Sequence, residues 1–245
     1  MPEAIKITDM FGAALAVRLA DKIVASGAVF PSEQFVEEVS RTTEGKTYTQ
    51  RVEIIADALR HHLPQDYRQA IAVLAGILGP ENPNEDGMFR EYYWLMPVGK
   101  FVEKYGLEHF GLSMEMIGEV TKRNTGEYAV RPYIRRYPEQ SLEIMSGWAS
   151  DDNFHLRRLA SEGLRPKLPW APKLDNFIEQ PQPVFAILDK LKADPVKFVQ
   201  RSVANHLTDY LKVNPEPTRQ LIDSWRQSDN PHTVWIIKRA TRRIS

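Results

Sequence analysis

Apolar residues recur along this chain at helical spacing almost from end to end, and nowhere do they alternate as a half-buried strand requires. Phe11, Leu15, Leu19 and Ile23 fall every fourth residue, which places them on one side of a helix. Val52, Ile55, Ala56, Leu59 and Leu63 repeat the pattern up to Pro64, and Val199, Val203, Leu207 and Leu211 repeat it again. Most of the 17 prolines stand between such segments, as at Pro64, Pro80, Pro138, Pro166, Pro169 and Pro215. A proline lacks the backbone donor and clashes with the preceding turn, so these positions read as helix ends or first turns. The polar, breaker-rich stretch 79–87 reads as an exposed loop. The expected fold is therefore all-α.

The second half carries an internal echo. Trp148-Ala149-Ser150-Asp151, followed by Leu156-Arg157-Arg158 and Glu162, aligns with Leu191-Lys192-Ala193-Asp194, followed by Val199-Gln200-Arg201 and Asn205, at an offset of 43 residues. A looser third copy starts near Trp225, with Asp229 and then Val234. Helical repeats of about 40 residues are the mark of HEAT-type solenoids, in which each helix pair buries its apolar face against its neighbours. The expectation is one HEAT-like repeat domain over residues 1–245, a curved α-solenoid whose concave face is basic. An irregular helical bundle with coincidental spacing is the plainer alternative.

Composition narrows the chemistry. With no cysteine there are no disulfides, thiolate metal sites or cysteine nucleophile. The start, Met1-Pro2-Glu3-Ala4-Ile5-Lys6, lacks the pattern of a signal peptide, and the most apolar run, Ala70 to Gly79, is too short to span a bilayer. A cytoplasmic monomer with no membrane attachment is expected. The formal net charge is zero, but residues 1–121 carry 11 Lys and Arg against 18 Asp and Glu, whereas residues 122–245 carry 21 against 14. A basic C-terminal part after acidic N-terminal helices permits a local field that attracts phosphates; an evenly solvated surface is the alternative.

Neither a phosphate-binding glycine loop nor a serine elbow is present. The neighbours His61 and His62 point in different directions on a helix and make a poor metal site, so no metal and no cofactor are expected. Carboxylates beside arginines stand out instead. Glu127 and Arg131 are four apart, as are Arg158 and Glu162, and Arg201, Asn205 and Asp209 form a polar stripe. Such pairs are also common as solvated ion pairs, and Asn124 to Glu127 reads equally as a capping box. Trp170 sits in Arg165-Pro166-Lys167-Leu168-Pro169-Trp170-Ala171-Pro172, a stiff loop with two cations. It suits stacking on a sugar or base, and equally the plugging of a gap between repeats.

At these residues the chain resembles a family. Thr125-Gly126-Glu127-Tyr128-Ala129-Val130-Arg131-Pro132-Tyr133-Ile134 is similar to the Ala-Glu-Phe-Ala-Ile-Arg-Pro-Phe pattern of the AlkC-type DNA glycosylases. His155 to Gly163, continued by Leu164 to Ala171, resembles the most distinctive stretch of that family. Arg201 to Asp209 resembles a third block, which usually ends Asn-Asp, so Thr208 is a departure. The resemblance implies HEAT repeats and excision of 3-methyladenine and similar cationic bases from double-stranded DNA without deep base flipping. It implies that Glu127, Glu162 and Asp209 are the active-site carboxylates and that Trp170 lies beside the deoxyribose. Arg158, Arg165, Lys167 and Arg201 would then hold phosphates. Some members add an immunoglobulin-like C-terminal domain; none is expected here, since the sequence stops at Ser245. The competing functions are a HEAT-fold DNA-structure binder without catalysis and a protein scaffold.

Overall fold

The computed structural model describes residues 6–242, so five of the six residues examined for a signal peptide lie outside the described residues. Every regular element among the described residues is helical. The chain divides into two compact units, Met1–Thr125 and Gly126–Ser245, close to where the charge balance changes sign.

The first unit contains α1 (Ala13–Ala25), α2 (Ser32–Thr42), α3 (Tyr48–His62), α4 (Tyr67–Gly76), α5 (Met96–Tyr105) and α6 (Phe110–Thr121). The periodic residues are where their spacing predicts: Leu15, Leu19 and Ile23 bury one face of α1, and Val52, Ile55, Ala56 and Leu59 that of α3. Phe11 is also buried but precedes the helix. α3 starts with a reciprocal cap, in which Thr47 accepts from the Gln50 N–H and the Gln50 side chain accepts from the Thr47 N–H. The loop at 79–87 is largely exposed but pinned by the buried Asn82, whose amide donates to the Asp86 carboxylate at 3.0 Å and the Arg123 carbonyl at 3.3 Å.

One alternative reading and one expectation fail here. Asn124 caps no helix with Glu127; its side chain accepts from the Met88 N–H and donates to the Tyr92 carbonyl, bracing the same loop. His61 and His62 do not diverge. His61 reaches Glu38 of α2 through Nδ1 and His62 through Nε2, at 2.9 and 2.8 Å. The near nitrogen of one ring and the far nitrogen of the next compensate for the turn of the helix between them.

The second unit holds α7 (Arg131–Arg136), α8 (Pro138–Trp148), α9 (Phe154–Glu162), α10 (Asp175–Glu179), α11 (Gln182–Leu191), α12 (Lys197–Val213), α13 (Pro215–Trp225) and α14 (Pro231–Thr241). The pairs α8–α9, α11–α12 and α13–α14 end their first helices at Trp148, Leu191 and Trp225, the three landmarks of the repeat. α9 packs on α12 and α12 on α14, making one row of second helices, with α8 and α11 in contact behind it. Val199, Val203, Leu207 and Leu211 are buried in that row.

The equivalent turns use equivalent chemistry. Arg157 donates to the Asp151 and Asp152 carbonyls before α9, and its repeat counterpart Gln200 donates to those of Asp194 and Pro195 before α12. Each also reaches the next repeat, Arg157 to Asp194 at 2.6 Å and Gln200 to His232 at 3.1 Å. The repeat is thus held by apolar stacking inside and by one polar link per step at the turns.

Candidate active site

Three carboxylates and two guanidiniums alternate through the second unit. Glu127, in the turn that leads into α7, accepts two hydrogen bonds from Arg158 of α9, at 2.7 and 3.2 Å. Arg158 also lies 3.8 Å from Glu162, one turn further along α9. Glu162 accepts from Arg165 at 2.6 Å, and Arg165 donates to Asp209 of α12, through Nε at 2.8 Å and Nη2 at 2.7 Å. The order Glu127–Arg158–Glu162–Arg165–Asp209 leaves one net negative charge in largely buried surroundings, which is where electrostatic interactions are strongest.

The members differ in environment. Burial pushes the Glu162 carboxyl up, but Arg158, Arg165 and a 2.6 Å hydrogen bond from the Ser202 hydroxyl hold it below its usual range. For Asp209 the balance is opposite: burial outweighs its arginine partner and raises its pKa. Asp209 is also the least enclosed of the three, with a side chain 14% exposed against 5% for Glu127 and 8% for Glu162. Burial lowers both arginines, yet their carboxylates more than compensate, so both stay charged. Behind Glu162, Ser202 contacts Ser161 at 3.0 Å, and Ser161 meets His206 Nδ1 at 3.5 Å. Burial drives His206 down to about 3, so that ring is neutral.

The loop after α9 is held by a residue that spacing assigned to a different partner. Arg131 is buried, and it donates to the carbonyls of Gly163, Arg165 and Pro172, at both ends of the loop. Desolvation, with Arg135 and Arg165 nearby, lowers its pKa to about 10. Tyr128 adds a hydrogen bond to the Pro169 carbonyl at 3.2 Å. Trp170 projects from this frame 92% exposed, which removes the gap-plugging reading. Its φ of +60° is the left-handed region, a costly conformation for a bulky residue.

The structure thus joins Glu127, Arg158, Glu162, Arg165 and Asp209. Arg158 and Arg165, expected at phosphates, are engaged with carboxylates instead. Lys167 and Arg201 are exposed and make no ion pair among the described residues. Sequence reasoning missed the cations beside Arg201. Lys197 lies 3.2 Å from the Trp235 ring centroid and Arg239 5.5 Å from it. Desolvation and the nearby Arg201 and Arg239 hold the Lys197 ammonium below its usual value. The concentration of positive residues after 190 was the available signal. Thr208, the departure from the family block, bonds the carbonyls of Ala204 and Ala240, tying α12 to α14, and leaves the Asp209–Arg165 contact intact.

A helical-repeat unit with a buried carboxylate–arginine network and an exposed loop tryptophan defines the class. The sequence pattern of the DNA alkylation repair enzymes matches residues 111–244, and the chain belongs to that family. The Pseudomonas fluorescens alkylpurine DNA glycosylase AlkC, solved bound to DNA containing an abasic site analog, superposes with a TM-score of 0.87 at 31% identity. That match covers 98% of this chain and 65% of AlkC. It places the fold among the HEAT-like repeats of that type. An uncharacterized Bacillus subtilis protein, YhaZ, is 36% identical over 198 residues, 81% of this chain and 53% of YhaZ. The chain spans about half the length of that curated relative and about two thirds of AlkC.

Proposed function

We propose that this chain is a DNA glycosylase that hydrolyses the N-glycosidic bond of cationic alkylated bases, 3-methyladenine among them. The observation that carries the reading is the convergence of Glu127, Glu162 and Asp209 in one network, with Trp170 held exposed on the loop that follows Glu162. The likeness to an alkylpurine DNA glycosylase supports it.

An N3-alkylated adenine already carries a positive charge. Breaking its bond to C1′ releases a neutral base, needs no strong general acid, and moves the positive charge onto the sugar as an oxocarbenium ion. Fixed carboxylates beside the sugar stabilise that charge more in the transition state than in the ground state. The paired arginines hold the acids in place and keep the Glu162 carboxylate ionised, so no reorganisation is needed during reaction. A water oxygen then bonds to C1′, and its proton passes to a carboxylate. Asp209, the least enclosed acid and the one with a raised pKa, has the character of that base. Trp170 supplies a flat face for the deoxyribose of the lesion.

Phosphates fall to the cations that no carboxylate pairs with among the described residues, of which Lys167 and Arg201 are exposed and Lys197 and Arg239 partly exposed. Because Arg158 and Arg165 hold carboxylates, we assign the DNA backbone to Lys167, Arg201, Lys197 and Arg239. The test is release of free base from methylated duplex DNA by the wild type, set against Glu162→Gln and Asp209→Asn. A non-catalytic DNA binder would bind equally well in all three forms and release nothing.

A further inference from the structure

The first unit contains a second cluster of chemically capable side chains, unrelated to the carboxylate network. Among the described residues, Glu38, His61 and His62 form the one group of three or more His, Cys, Asp or Glu side chains whose ligand atoms all lie within 4.8 Å of one another. We propose that these three residues bind a divalent transition-metal ion, with Zn(II) as the first candidate.

The geometry is that of donors converging on one point. Glu38 Oε2 lies 2.9 Å from His61 Nδ1 and 2.8 Å from His62 Nε2. Without a metal, this contact needs a proton on both facing nitrogens. When a divalent ion binds, each ring carries its proton on the outer nitrogen, His61 Nε2 and His62 Nδ1, so that the facing nitrogens of two neutral imidazoles and one carboxylate ligate the ion. In a tetrahedral site with metal–ligand bonds of about 2.0–2.1 Å, the donors stand roughly 3.3 Å apart. Glu38 Oε2 therefore needs to withdraw from each ring by only about half an ångström, while the two facing nitrogens already stand within 4.8 Å of each other.

The cluster is half built and half open. The His62 side chain is 10% exposed, and its ring meets Phe30 and Phe35 edge-on at centroid distances of 6.3 and 5.9 Å, which fix its direction. His61, at 70% exposed, faces solvent and leaves room for water or a further ligand in the fourth position. Two imidazoles with one carboxylate suit Zn(II), Ni(II), Cu(II) or Co(II); Mg(II) and Ca(II) prefer oxygen donors throughout. The bound ion would cross-link α2 to the end of α3.

Calorimetric titration of the metal-free, tag-free chain with zinc chloride tests the site, comparing wild type with His61→Ala and Glu38→Gln. His61→Ala removes an exposed ring and leaves the Phe30–Phe35–His62 packing whole, so it is expected to fold normally, as its metal-free melting curve will report. The expected result is one Zn(II) per wild-type chain and at least a tenfold loss of affinity in each variant. A smaller loss in either variant, or no uptake by the wild type, overturns the proposal. Neither readout depends on DNA or on base release.

Discussion

Glu162 is the residue on which the site turns, since it accepts hydrogen bonds from both Arg165 and Ser202 and lies within ion-pair reach of Arg158. Replacing it with Gln removes a charge that two guanidiniums face. We expect a loss of roughly 2 kcal/mol in stability at neutral pH, since charge-assisted hydrogen bonds contribute about 1.5–3 kcal/mol each and Gln keeps one acceptor. The folded pKa of Glu162 is depressed, so its contribution is present above its unfolded value near the ordinary carboxylate range. It is lost as pH falls through the lower folded value. Chemical denaturation of wild type and Glu162→Gln from neutral pH into acid should therefore show the gap closing. Asp209 has the opposite sign. Its raised pKa means that single-turnover base release should fall as pH drops through a value above the ordinary aspartate range, and Asp209→Asn should lose that limb. Spacing alone was enough to pair Arg158 with Glu162, but not to find the stronger partner, Glu127, 31 residues away beyond α7 and α8. Family resemblance named all three acids, while their sharing of two arginines is a tertiary fact.

At the scale of elements, α9 and the loop behind it decide where Glu162 and Trp170 stand. Arg131 closes this loop by binding carbonyls at both ends, and among the described residues no carboxylate forms an ion pair with it. Arg131→Met should release the loop: Trp170 fluorescence anisotropy falls, and KM for damaged DNA rises more than kcat falls. Rigid coupling of the loop to α9 by other contacts would leave both unchanged. Gly163 shows how tightly the end of α9 is packed, since a Cβ there would stand 2.9 Å from Val130 Cγ1 and 2.9 Å from Met145 Cε. Met145 can swing aside; Val130, close behind Glu127, cannot do so cheaply. Gly163→Ala is thus expected to cost about 1–3 kcal/mol in stability, read by thermal melting, from overpacking. The helices themselves were legible because a 3.6-residue period and well-placed prolines survive in the sequence. The role of Arg131 was not, because its partners are backbone carbonyls, which no residue pattern records.

For the whole molecule, a neutral formal charge conceals an uneven chain, with the excess of Lys and Arg confined to the C-terminal part. That imbalance was legible from residue counts. Which cations are left without a carboxylate partner was not, because it depends on which arginines the buried acids take. If Lys197, Arg201 and Arg239 grip the DNA backbone, their joint replacement by Ala should lower the slope of log K against log salt by about 3, with single-turnover base release at saturation little changed. An unchanged slope would move the backbone elsewhere. The most direct measurement remains the chemistry itself: free 3-methyladenine released from methylated duplex DNA by wild type, Glu162→Gln and Asp209→Asn at saturating protein. Release by the wild type, with about a 100-fold loss in each variant that still binds DNA, is the expected result. No release by folded, DNA-binding wild type, or equal release by all three proteins, would contradict a carboxylate-based glycosylase.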